Sequence, residues 1–192
     1  YFTHPAKALL FLRPALIIII KIRPGFCADL PTGCKKEPIA MTITEQKAAQ
    51  RKAGIAARRA LSDTERTRSN AALCARIMAL DCFKKAENIL LYAAFGGEAD
   101  LSALAVEAAR QGKTPAYPVC GEGFSLTAAV PGPDGWEVGA YGIRTPILSR
   151  SAVLPPDKLD LVLVPCTAFD TACRRVGTVS YTHLTLPTNS RV

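Results

Sequence analysis

The sequence predicts an α/β fold, a three-layer Rossmann-like sheet with helices on both faces and largely parallel strands. Three observations predict it. Residues 89–94 (ILLYAA) and 159–164 (LDLVLV) are short apolar runs suited to strands buried on both faces. Helix-forming stretches precede and separate them. Glycine and proline clusters mark the joins, at Gly96-Gly97, Gly112, Pro131-Gly132-Pro133 and Pro155-Pro156.

Residues 44–60 are rich in Glu, Gln, Lys, Ala and Arg and read as a first helix, opening just after Met41. Ser62 with Glu65 forms a capping-box pattern, so a second helix starts there, with Leu73, Ile77 and Leu80 on its apolar stripe. The strand at 89–94 is broken by Gly96-Gly97. Asp100 can cap a helix over about 101–111 that stops at Gly112. Residues 114–119 and 124–130 read as further strands before the turn cluster that ends at Gly135.

The chain has 192 residues, 49% hydrophobic and 21% charged, which suits one globular domain. The net charge of +8 is unevenly placed: +4 falls in residues 1–40, +3 in 41–178 and +1 in the tail. So mildly basic a body suits an anionic small molecule better than a nucleic-acid stripe. The seven cysteines are odd in number and form no C-x-x-C pair, so neither a disulfide framework nor a zinc site is signalled, and reduced thiols are expected. Both histidines, His4 and His183, lie in the flanks. That removes a Ser-His-Asp triad and a His-ligated metal from the body.

Three groups of residues can carry chemistry. Lys47 and Arg51 stand at i, i+4 on one helix face, a spacing that can hold a polyphosphate, although a solvated face is much the commoner use of it. Arg58 and Arg59 read as solvated. Glu98 and Asp100 follow a glycine pair at the end of a strand, where open α/β sheets bind ligands. Asp160, Pro165, Phe169, Asp170, Arg175 and Gly177 form a strand that runs through a proline turn into an Arg-Gly loop, a plausible phosphate cradle.

In this order the motifs resemble the 5-formyltetrahydrofolate cyclo-ligase family. The matching pieces are Lys47 and Arg51, then Leu61-Ser62 with Glu65-Arg66, then Glu98 and Asp100. Gly139, Tyr141, Gly142, Ile143 and Pro146 follow, and last a V-P-x-x-A-F-D-x-x-x-x-R-x-G block from Val164 to Gly177. The resemblance covers about residues 44–177. It implies ATP-dependent cyclisation of 5-formyltetrahydrofolate to 5,10-methenyltetrahydrofolate, with ATP and Mg2+ as cofactors. Lys47, Arg51, Arg175 and Gly177 would hold ATP, while Ala93 (by its backbone) and Glu98 would face the folate. Tyr141 would wall the folate pocket and Asp170 would order the loop. The implied protein is a cytoplasmic monomer acting on a small folate, with no nucleic-acid or membrane partner.

The chain departs from the family pattern at Cys166, at Cys173 and after Gly177, where the glycine-rich loop and its metal-binding Asp are absent from 178–192. Residues 1–40 are expected to be a non-native upstream extension, because a clean helical pattern opens only at Met41, with 41–178 an incomplete cyclo-ligase domain and 179–192 an artefactual tail, the whole inactive. Two other readings stand beside this one: a non-catalytic α/β nucleotide-binding protein, and a small protein anchored to a membrane by the apolar run at 8–20.

Overall fold

The computed structural model describes residues 7–10, 17–21, 42–121, 125–139, 142–169 and 175–176. Its strands and helices run β1 (Lys7–Leu10), β2 (Ile17–Lys21), α1 (Ile43–Arg59), α2 (Asp63–Ala79), α3 (Asp81–Lys85), β3 (Asn88–Leu90), α4 (Ser102–Arg110) and β4 (Thr114–Cys120). There follow β5 (Leu126–Pro131), β6 (Trp136–Val138), β7 (Arg144–Pro146), β8 (Ser151–Leu154), β9 (Leu161–Pro165), β10 (Ala168–Phe169) and β11 (Arg175–Val176).

The main sheet has the order β1-β2-β9-β3-β4-β5-β8. Only its centre is parallel: β3 pairs with β4 and with β9 in parallel, whereas β4–β5, β5–β8, β2–β9 and β1–β2 are antiparallel. The expected largely parallel sheet is thus a mixed one. The reason is the length of the connections. Between β3 and β4 stands α4, a crossover helix, but the link from β4 to β5 is short enough to turn the chain straight back. The α/β class itself holds.

The central strands show the period-2 pattern of a sheet buried on both faces. Ile89, Leu91, Leu161 and Leu163 join Leu73, Ile77, Phe83, Leu101 and Leu104 from the helices. Leu90, Val162 and Val164 point the other way, with Ala116, Ala128 and Leu159. The described helices α2, α3 and α4 therefore share one face, and the opposite cluster contains no helix residue among the described residues. Leu159 to Val164 is fully buried at every position except Asp160, which is why the run reads as continuous rather than alternating. Asp160 itself pins the sheet: its Oδ2 accepts from the backbone N–H of Glu87 (3.1 Å) and Asn88 (3.0 Å) at the start of β3.

Both long helices open on capping boxes. The Ser62–Glu65 box is as expected; Thr42 with Glu45 forms a second one, which places the first helix start just after Met41. Gly112, with φ 75°, takes the left-handed turn after α4. Part of the apolar run at 8–20 enters the sheet edge as β1 and β2, with β2 paired to β9. Among the described residues no helix is long and apolar enough to cross a membrane.

Candidate active site

The strand at 89–94 ends earlier than its apolar run. After Leu90, Leu91 still donates its N–H to the Ala116 carbonyl (2.8 Å), and then the backbone leaves the sheet. Tyr92 stays buried and donates its hydroxyl to the Ala99 carbonyl at 2.9 Å, tying the far end of the loop back to the strand. Gly96 (φ 59°) and Gly97 (φ 83°) take left-handed conformations at the turn. Phe95 and Glu98 clasp it: the Glu98 N–H reaches the Phe95 carbonyl (3.1 Å), and the Phe95 N–H reaches Glu98 Oε2 (3.2 Å). Asp100 accepts from the Ser102 N–H (2.8 Å) one residue before the α4 cap, so it serves the helix start.

This loop forms one wall of an open cleft of about 360 Å³. Tyr117, Trp136 and Arg144 form the other. Tyr117 and Trp136 meet edge to face at 4.7 Å between ring centroids, and the Arg144 guanidinium lies 4.7 Å above the Trp136 ring. The β6–β7 hairpin sets this stack, pairing Val138 with Arg144 and Trp136 with Pro146. Burial pushes the Tyr117 hydroxyl above its ordinary range. It also raises the Glu98 carboxyl, against the Phe95 N–H and the charge of Arg58, which act to lower it. The cleft lies at the carboxyl ends of β3 and β4, the rim where open α/β sheets take ligands.

Ala93 and Glu98 both line this cleft, so the two residues expected to face the folate come together. Lys47 and Arg51 are exposed on α1, the helix that packs against the β10–β11 hairpin. Arg175 has its backbone in β11, opposite Phe169. Gly54, one turn beyond Arg51, makes the close approach possible, since a Cβ there would sit 2.5 Å from the Thr167 carbonyl oxygen. The three cations are thus carried on two elements in contact. Gly177, Asp170, Tyr141 and Cys173 lie outside the described residues.

Arg58, taken as solvated, is half-buried, with its Nε enclosed. It sits in the last turn of α1, where the helix meets the Pro165–Thr167 turn, and nothing in a cationic helix end distinguishes that from a solvated one. Tyr117, Trp136 and Arg144 also escaped notice as site residues. They are far apart in sequence from Glu98, and only the β4–β7 contact brings them opposite it.

Among the described residues, no three His, Cys, Asp or Glu side chains converge where a metal ion could be held. These residues do not by themselves fit a magnesium site.

Fold and site together define an α/β protein with a ligand cleft at its parallel strand ends, lined by aromatic rings, a carboxylate and an arginine. The model of the 5-formyltetrahydrofolate cyclo-ligase family matches residues 43–180, and the chain belongs to that family of ligases. The fold resembles the solution structure of Aquifex aeolicus 5,10-methenyltetrahydrofolate synthetase, with TM-score 0.63 and 31% identity over 72% of this chain and 71% of that one. It also resembles the 5,10-methenyltetrahydrofolate synthetase of Mycoplasma pneumoniae, with TM-score 0.56, 18% identity, and 70% and 72% of the two chains covered. A search of curated protein sequences finds no match.

Proposed function

We propose that this domain binds 5-formyltetrahydrofolate in the 360 Å³ cleft and serves its ATP-dependent cyclisation to 5,10-methenyltetrahydrofolate, with release of ADP and phosphate. The observation that carries the reading is the pairing of Glu98 and Ala93 with the Tyr117–Trp136–Arg144 wall in a chain of this family. A fused heterocycle offers flat faces and ring-edge N–H donors. The aromatic wall suits the first and the Glu98 carboxylate the second. Arg144, exposed at the mouth, suits a substrate carboxylate.

A formyl oxygen on nitrogen is a poor leaving group, and ATP supplies the phosphoryl group that converts it into phosphate. Nitrogen 10 of the folate then bonds to the formyl carbon, the carbon–oxygen bond breaks, phosphate departs and the N–H proton is lost. The protein's share is positioning and charge neutralisation. Lys47, Arg51, Arg175 and Gly177 are the proposed ATP-binding residues, on α1 and the hairpin it packs against. The body needs no imidazole base for this chemistry.

Trp136 is the chain's single tryptophan and lines the cleft, so its fluorescence reports occupancy directly. Titration with 5-formyltetrahydrofolate should quench it saturably, and Arg144→Ala should weaken binding about tenfold, the loss of one charge-assisted contact. Absence of a saturable quench, or an equal response to a nucleoside lacking the pterin, would overturn the reading.

A further inference from the structure

Behind Glu98 lies a second, smaller pocket of about 30 Å³. It is framed by the end of α1, the start of α2, residues 97–99 and the Pro165–Thr167 turn, with Arg58, Arg66, Ser69, Asn70 and Glu98 as its polar lining. Arg58 and Arg66 both line it, and the Nε atom of each is buried without a hydrogen-bond partner. These are the two buried side-chain donors left unsatisfied among the described residues.

The arginines are held in place rather than left to choose. Arg66 donates from Nη2 to the Leu61 carbonyl at 3.3 Å, and Gly97 comes so close that a Cβ there would lie 3.2 Å from Arg66 Nη1. Arg58 stands on α1 one turn beyond Gly54, the residue that meets Thr167. Two guanidinium groups in one small pocket need countercharge, and neither makes an ion pair with a described carboxylate. Glu98 lies near Arg58 but directs Oε2 to the Phe95 N–H. A water molecule could accept hydrogen bonds here but would leave the charge standing. An oxyanion answers both demands, since it offers several acceptor oxygens and negative charge.

We propose that Arg58 and Arg66, with Ser69 and Asn70 as neutral partners, form a subsite for a phosphate-class oxyanion. The pocket shares Tyr92, Gly97 and Glu98 with the folate cleft, and its floor, Pro165–Thr167, leads into β10. It therefore stands between the proposed folate side and the proposed ATP side. Reading the anion as the phosphoryl group in transit, or as the phosphate released, rests on the proposed function; the anion site itself does not.

Titration calorimetry with inorganic phosphate, in the absence of folate, tests the subsite separately from the tryptophan quench. Wild type should bind phosphate. Arg58→Met and Arg66→Met should each weaken it tenfold or more, while Arg68→Met, on the exposed side of α2, should leave it unchanged. If either Met variant fails to fold by circular dichroism, the Lys variant decides. Lysine keeps the charge but loses the forked guanidinium, so affinity should still fall severalfold. Repeating the titration with ADP or ATP present identifies the source: competition by ATP alone marks a nucleotide's terminal phosphate, and binding alongside ADP marks the free ion. Phosphate affinity unaltered in folded Arg58 and Arg66 variants, or no phosphate binding by wild type, would overturn the proposal. A folate quench without phosphate binding would leave the proposed function standing and remove the subsite alone.

Discussion

Ile89 and Glu98 are nine positions apart and belong to two different regimes. Around Ile89, the helix-backed face of the sheet is made of Leu73, Ile77, Phe83, Leu101, Leu104, Leu161 and Leu163, and no polar or charged residue is fully buried among the described residues. Around Glu98, the strand-end rim holds a partly buried carboxylate, two arginines with unsatisfied donors, two left-handed glycines and the exposed ring of Phe95. The first region gains from every contact it makes. The second carries buried donors without partners and turns that glycine takes without strain, and neither adds to the core. Its burdens make sense as features that a ligand relieves, and the stability of the first allows the second to exist.

The sharpest way to break this contrast is to damage the core and ask whether the rim notices. Leu73→Ala removes a fully buried side chain from the α2 stripe and should cost about 2–5 kcal/mol, read as a fall in the denaturant midpoint. Folate affinity of the still-folded variant, measured by Trp136 quenching, should be unchanged. A lost quench under folding conditions would mean that core and rim are mechanically one unit.

Gly54 tests the join between α1 and the β9–β10 turn. Glycine inside a helix costs about 0.5–1 kcal/mol relative to alanine, so a bare propensity argument favours Gly54→Ala. The structure says the opposite, because the added Cβ would fall 2.5 Å from a backbone oxygen that cannot rotate away. The variant should lose about 1–3 kcal/mol as α1 is displaced. A gain in stability would show that α1 packs more loosely on the hairpin than the described contact implies.

How much of this was legible in the sequence follows from the range of the forces involved. The Ser62–Glu65 capping box, the glycine stops and the strands β4 and β9 are local, and the sequence reads them with boundaries close to those observed. The end of β3 is misplaced because residues 92–94 stay apolar after the backbone leaves the sheet: Leu91 still bonds to Ala116, but Tyr92 is buried by loop packing, not by strand pairing. The mixed sheet was missed because pairing direction depends on which strand a short connection reaches. Glu98 was legible through its glycine turn and the family motif it belongs to. Its neighbours Arg58, Tyr117, Trp136 and Arg144 come from four different elements, and no spacing in the chain marks them as a group.

Glu98 gives the smallest effect and the most specific one. Its carboxyl is raised above the ordinary 4.5 by burial, with Phe95 and Arg58 opposing. Below that value both folded and unfolded chains hold the proton. As the pH rises through the window between the unfolded and folded values, the unfolded chain releases its proton first, so wild type loses stability until the folded group has ionised too. Glu98→Gln has no proton to release and keeps the Phe95 contact. Its melting temperature relative to wild type should therefore climb from about pH 4.5 upward and then level off. Adding 5-formyltetrahydrofolate should reverse the order near neutrality, since the ionised carboxylate that the free protein tolerates poorly is the acceptor proposed for the substrate's N–H groups. A pH-independent gap would mean that Glu98 is solvated and carries no such tension. A gap that the folate leaves untouched would detach Glu98 from the substrate and place its role in the turn alone.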